Sequence, residues 1–267
     1  MHRSLGPLAL GYPDQALECV RQALTRAREV RHPPTLCYAL LHLWNIHQRR
    51  GEERQAQEGT DEMLALADEH GFLQYLAMGT FMRGWSQAAL GKRAKGIAQM
   101  RQGLKAMRAT GSGAGQLRPL STLAAALGEE GQADEAQAVL DEALAAHERT
   151  GEHYYEADLY RVQGELLLAR RSGGPAVLSE AERWFRRAVE VARRQQARSL
   201  ELRAVVGLSR LYHRQGRREE VRPLLAQTYG WFTEGLDTAD LREAAALLQE
   251  LQSDSNRSWC DSASSTP

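Results

Sequence analysis

The residues with which this 267-residue chain could do chemistry are eight histidines, three cysteines and several adjacent pairs of acids. His42 and His47 stand five apart on a helical stretch and face different sides of it. No His-Glu-x-x-His pattern occurs, so the histidines show no metal-binding spacing. Cys19, Cys37 and Cys260 are odd in number and lack a Cys-x-x-Cys pair, which suggests core or partly buried thiols and neither a disulfide framework nor a thiolate metal site. The pairs Glu52-Glu53, Glu129-Glu130 and Glu219-Glu220 fall at turns or helix starts, where carboxylates favour the positive end of a helix dipole and need no catalytic role. The Gly-rich GSGAGQLR at 111–118 lacks the terminal Lys-Ser/Thr of a phosphate loop and follows a helical stretch, where a strand would be required. No nucleophile elbow frames a serine. The sequence therefore predicts no catalytic residue, no cofactor and no metal site.

What the sequence does carry is a repeat. Gly11, Gly51, Gly91 and Gly131 recur with a constant period of 40, and each is followed five positions later by a small residue: Ala16, Ala56, Gly96 and Ala136. The next small residue, Ala181, comes 45 further on, which places five extra residues in the stretch Ser172 to Ala176; the period of 40 then returns at Gly216 and Val221. Gly71, Gly111 and Gly151 form a second series with the same period. Two phased turns in each repeat mean two helices in each repeat, since glycine takes the left-handed conformation that ends a helix at little steric cost. Apolar residues between the turns recur at three and four, as in Leu36, Leu40, Leu43 and Leu159, Leu166, Leu167. First helices are expected at 34–49, 73–90, 116–129, 153–169 and 198–214, and second helices at 53–69, 93–109, 133–149, 177–195 and 218–232. An extra second helix at 13–30 precedes them and a final helix covers 238–251.

Within this frame the chain resembles the tetratricopeptide repeat, in which a small residue of the first helix faces a small residue of the second and bulkier ones follow. Gly84 with Gly96, Met100, Gly103 and Leu104 supplies one copy, Ala124 with Ala136, Leu140, Ala143 and Leu144 another, and Gly164 with Ala181, Phe185, Ala188 and Val189 a third. Trp44 and Thr228 depart from the pattern, standing where small residues belong. The resemblance implies an all-α, right-handed α-solenoid of about six helix pairs spanning 1–252, its first repeat truncated, with a disordered tail at 253–267. The stretches GTFMRGWSQAALGKRAKGIAQMRQGL, RTGEHYYEADLYRVQGELLLA and YGWFTEGLDTADLREAAALL also resemble the C-terminal repeat region of bacterial signalling proteins that join a nucleotide cyclase or DNA-binding segment to an ATPase. That likeness implies a non-catalytic interaction or regulatory scaffold, with a small-ligand sensor or an inactive fragment of a larger cyclase/ATPase regulator as the alternative.

In such an array the first helices line a concave groove for a protein or peptide partner. Carried over copy by copy, the groove positions are Tyr38, Asn45 and Gln48, then Phe81 and Trp85, Arg118, Arg161 and Glu165, and Arg203, Arg210 and Arg214. They are aromatic toward the N-terminal half and arginine-rich toward the C-terminal half, the residue types that dominate interface energetics. Phe81 and Trp85 equally suit packing between helix pairs, and the arginines equally suit a solvated face.

Composition narrows the classes further. Thirty-four basic against 34 acidic residues argue against a dedicated nucleic-acid binder, although Arg183 to Arg222 holds 12 arginines against the four acids Glu190, Glu201, Glu219 and Glu220. No apolar run spans a bilayer and no secretion signal is visible, so no membrane partner and a cytoplasmic location are expected. The truncated first repeat would leave one face of helix 13–30 open, and dimerisation through that end would cover it. The register itself is testable: Ala136→Arg would bury an unpaired charge opposite Ala124 and cost roughly 3 kcal/mol or more in denaturant unfolding.

Overall fold

A computed structural model describes residues 6–110, 116–170 and 174–263, with side chains described as far as Gln252. The described residues form 13 α-helices and one 3-10 turn, without a strand. A short α1 (Gly6–Ala9) and α2 (Pro13–Val30) lead into five helix pairs. These are α3 (Pro33–Arg50) with α4 (Glu53–Glu69), α5 (Leu73–Ala89) with α6 (Arg93–Ala109), and α7 (Leu117–Glu129) with α8 (Ala133–Thr150). Next come α9 (Glu156–Ala169) with α10 (Pro175–Arg194) and α11 (Arg198–Arg214) with α12 (Arg218–Tyr229), before a last helix, α13 (Ala239–Ala263). No described helix is long and apolar enough to cross a membrane.

The phased turns are as the glycines require. Gly11, Gly51, Gly71, Gly91, Gly131, Gly151 and Gly216 all have φ between 64 and 93°. Arg31 and Gln196 take the same left-handed conformation, at φ 53 and 55°, and stand half a repeat before Gly51 and Gly216 respectively. They complete a series of turns, one at each half-repeat, that a glycine count does not show. Gly111 and residues 172 and 173 of the predicted insertion lie outside the described residues.

Small residues hold paired helices close. A Cβ on Gly84 would stand 2.7 Å from the Gly96 carbonyl oxygen and the Met100 amide, a distance real side chains do not reach. Ala124 and Ala136 are both fully buried, as the predicted contact demands. The Phe185 ring fills the space left by Gly164 on α9 and Gly207 on α11, so one buried aromatic ties two successive repeats together. At the two departures, Trp44 is 4% exposed, and Thr228 turns its hydroxyl back to the Leu224 carbonyl at 2.8 Å, satisfying its polar atom locally.

Several boundaries differ from expectation. Residues 153–155 form a 3-10 turn before α9; α10 starts at Pro175, whose fixed φ and missing N–H suit a first helical turn. The helix expected at 218–232 ends at Tyr229. The last one continues past 251 to Ala263, into the stretch read as a tail, with no Gly or Pro between Ala239 and Ala263 to stop it. Cys37 is buried, whereas Cys19 is exposed, because it lies on the outer face of α2. Side chains beyond Gln252, Cys260 included, lie outside the described residues.

The largest difference is at the ends of the solenoid, which meet. The Glu234 carboxylate accepts hydrogen bonds from the backbone amides of Asp14 and Gln15 at 2.9 and 3.0 Å, and Asp14 accepts one from the Gly235 amide at 2.9 Å. Tyr12 packs on Trp231 with ring centroids 5.3 Å apart, Ser199 donates to the Leu8 carbonyl at 2.6 Å, and Arg50 reaches Asp14 at 2.7 Å. The N-terminal end of α2, on the helix expected to leave a face open, is thus held by the chain's own 230–238 segment, with Asp14 and Gln15 still exposed. Cys19, Ala23, Arg26 and Val30 on the other face of α2 border a shallow surface groove.

Replacing Gln196 by glycine removes a side chain from a left-handed position that costs an L-residue about 1–2 kcal/mol. After the extra unfolded-state entropy of glycine, a net gain of about 0.5–1 kcal/mol is expected in urea unfolding.

Candidate ligand-binding chamber

Closure turns the concave groove into a partly enclosed interior that stays open to solvent at Tyr38, Arg210 and Arg214. The inner helices α3, α5, α7, α9, α11 and α13 surround three cavities of about 240, 460 and 200 Å³ that share walls. The two larger share Arg161, Arg203 and Asp240, and the smallest meets the middle one at Arg118 and Thr122. All eleven groove positions carried over from the repeat pattern line these cavities. Tyr38, Asn45 and Phe81 border the smallest, Gln48 and Trp85 the middle one, and Glu165, Arg210 and Arg214 the largest, with Arg118, Arg161 and Arg203 on shared walls.

The smallest lobe is apolar. Leu41, Trp44, Met78, Phe81, Met82 and Met107 supply most of its wall. Phe81 is also core, only 3% exposed, and so belongs to the packing between helix pairs as much as to the cavity. Trp85 is half-buried, edge-on to Trp44 with centroids 5.7 Å apart. Among the described residues, two buried polar atoms of this wall, Trp44 Nε1 and Asn45 Oδ1, have no hydrogen-bond partner.

The middle lobe is charged and unbalanced: Arg49, Arg93, Arg118, Arg161 and Arg203 face three acids, Glu129, Asp158 and Asp240. Asp158 is the hub. It accepts from Ser121 at 2.8 Å and from Arg161 at 2.8 and 3.1 Å, with Arg203 3.5 Å away. Burial pushes its pKa up, but the charges of Arg161, Arg203 and Arg49 outweigh that and hold the carboxyl well below its ordinary 3.8. Arg161 also donates to Glu165 at 2.6 Å, Arg203 lies 3.6 Å from Asp240, and Arg210 pairs with Glu243 at 2.5 Å. These arginines are therefore structural partners as well as wall residues; Arg161 is buried, Arg203 is half-buried and Arg210 lies on a solvated face.

Arg49 and Arg118 are different. Among the described residues neither has a carboxylate within ion-pair distance. Arg118 stands 4.9 Å over the Trp44 ring and donates to Gln48 across the interior. Burial lowers its pKa to about 10, and the like charge of Arg49 adds to the effect. The sequence reading missed Arg49, although it follows the groove residue Asn45 by one helical turn. It also missed Asp158, Asp240 and Glu243; the acids at 240 and 243, on one face of α13, were the available signal.

The outlying acids serve the closure and the turns. Glu52 accepts from Arg50 at 2.8 Å and contacts His47 at 2.5 Å, and these partners hold its pKa low against the opposing effect of burial. His42 and His47 are both buried.

This architecture is a tetratricopeptide-like α-solenoid whose ends close on each other. No protein-family model and no curated protein matches the chain. Among solved structures, the apo form of RapI aligns over 94% of this chain and 80% of its own, at 12% identity and a TM-score of 0.55. A variant of a putative kinesin light chain with nearly identical TPR-like repeats, from Podosopora anserina, aligns over 74% of this chain and 95% of its own, at 20% identity and a TM-score of 0.51. At these identities the likeness is one of fold.

The Asp158 network sets a pH dependence. A carboxyl with a depressed folded pKa contributes its full stabilisation above the unfolded value and loses it as pH falls, here from about pH 4 downward. Asp158→Asn should cost about 3 kcal/mol at pH 7, and its stability should fall less steeply than wild type as pH drops from 5 to 3 in urea titrations.

Proposed function

We propose that this chain is a non-catalytic regulatory module that holds a short peptide segment of a protein partner inside the closed solenoid. The observation that carries the reading is the pairing of an apolar lobe with two arginines, Arg49 and Arg118, that form no direct ion pair with a carboxylate of the described residues. A partner segment with an apolar side chain and an acidic group would fill the one and offset the other. The unpartnered Trp44 Nε1 donor and Asn45 Oδ1 acceptor on the same wall suit the C=O and N–H of a peptide group. Half-buried arginines without an ion-pair partner favour an anionic ligand, which offsets their charge as it displaces water. The resemblance to repeat regions of bacterial cyclase and ATPase regulators makes a signalling protein of the same cell the proposed partner, in a cytoplasmic setting.

Closure also favours a second reading, a small-ligand sensor. An interior of a few hundred Å³ is in the range of small-molecule sites, and a folded domain does not fit it. Both readings share the site and differ in the ligand.

Cross-linked pull-down from source cells, followed by fluorescence titration with peptides from any recovered partner, separates them. Tyr38→Ala and Arg118→Gln are each expected to weaken peptide binding by about 1–2 kcal/mol, the charge change also flattening the salt dependence, while Arg183→Ala on the outer helix α10 leaves binding unchanged. Peptide binding that ignores both interior substitutions would place the site outside the chamber. Thermal stabilisation by a metabolite extract with no peptide effect would favour the sensor.

A further inference from the structure

Where α8 gives way to α9, on the far side of the Gly151 turn, three side chains meet that the interior does not use. His147 lies in the last turn of α8, His153 in the 3-10 turn, and Glu156 opens α9. One donor atom of each lies within 4.8 Å of the other two. The His rings are edge to face with centroids 5.4 Å apart, and His153 Nδ1 is 3.4 Å from the Glu156 carboxylate.

The surroundings prepare these donors. His147 is buried, and its Nδ1 lies 3.0 Å from the Glu152 carbonyl oxygen. A carbonyl only accepts, so in the neutral ring the proton sits on Nδ1 and Nε2 keeps its lone pair. A histidine held by its second nitrogen in this way is the usual arrangement of a metal ligand. Glu156 is 9% exposed, and among the described residues its one ion-pair partner is His153, with the Tyr160 hydroxyl hydrogen-bonded beside it. The backbone of His153 is tied to α10 by a hydrogen bond from Gln195 at 2.6 Å. A nearly buried carboxylate facing two imidazoles, with no arginine or lysine ion pair among the described residues, is a donor set suited to a cation.

We propose that His147, His153 and Glu156 bind one first-row transition-metal dication, zinc being the ion that two imidazoles and a carboxylate suit best. Two nitrogens and one oxygen are borderline donors that favour zinc over magnesium or calcium, and three protein ligands leave a fourth position for water. Donors on one zinc stand about 3.3 Å apart for bonds of about 2.0–2.1 Å. His153, with its side chain 73% exposed, is free to swing inward and close the remaining gap. The ion would staple the end of one repeat to the start of the next, on the turn that also carries Tyr155 and Asp158 into the chamber walls. Sequence spacing hid the site because its ligands straddle a turn and share no single helix.

The test uses the full chain without an affinity tag, stripped with a chelator and desalted, then titrated with zinc chloride by calorimetry and by melting temperature. One equivalent of zinc is expected to bind and raise the melting temperature. His153→Ala and Glu156→Gln should each weaken binding on the order of 100-fold, and His153→Ala, at an exposed position, should leave the metal-free melting temperature unchanged. Magnesium chloride should produce neither effect. Absence of stoichiometric zinc binding, one equivalent that survives both substitutions, or equally tight magnesium binding would each overturn the assignment.

Discussion

The contact between Glu234 and the amide groups that open α2 is the constraint on which the rest of the molecule depends. The first amides of a helix have no partners within it, and the residue before α2, Tyr12, offers no side-chain cap. A carboxylate from the far end of the chain supplies one, at the positive end of the helix dipole. Asp14 answers by accepting from Gly235 and Arg50, so the two segments cap each other. Such a reciprocal polar contact contributes on the order of 1–2 kcal/mol, modest beside the apolar core, and it fixes how the two ends register. Together with Tyr12 on Trp231 and Ser199 on the Leu8 carbonyl, it holds the ends of the array against each other, and the inner helices border a shared space.

Enclosure changes the energetics of the buried charges on the inner wall. An exposed arginine pair such as Arg210–Glu243 contributes little. Deeper on the wall Arg161 and Asp158 lose hydration, and each needs a partner. The described structure supplies partners for Arg161 and Arg203 through Asp158, Glu165 and Asp240, and leaves Arg49 and Arg118 to an aromatic face, an amide and each other's repulsion. The contrast between satisfied and unsatisfied cations within one wall marks the site more sharply than its shape does.

The fold was legible because a repeat writes each of its requirements several times. Turn glycines at one constant interval, a small residue five positions on and apolar residues at three and four fix helix pairs without reference to anything distant. The groove positions followed, since equivalent places in successive copies face the same interior. Arg31 and Gln196 escaped notice because their surroundings force the left-handed conformation without the residue that announces it. Closure escaped for a different reason: Tyr12, Asp14, Trp231 and Glu234 occur once each, outside the period, and nothing in their local sequence says that they touch. The hub at Asp158 was hidden in the same way, its meaning lying in arginines on two other turns of the chain.

An open solenoid is indifferent to its own length, since each unit touches only its neighbours and units are gained or lost at small cost. A solenoid whose first and last units grip each other has lost that freedom. Inserting one more helix pair would carry Glu234 away from α2, and deleting one would drive the same groups past one another, so the count of units becomes a quantised property, as the number of staves is in a barrel. The five added residues before Ala181 keep to this rule: α10 starts six positions before Ala181 where α8 starts three before Ala136, so they extend a helix start and its approach instead of adding a unit. Drift in copy number, the ordinary route by which repeat arrays diverge, is closed to this chain.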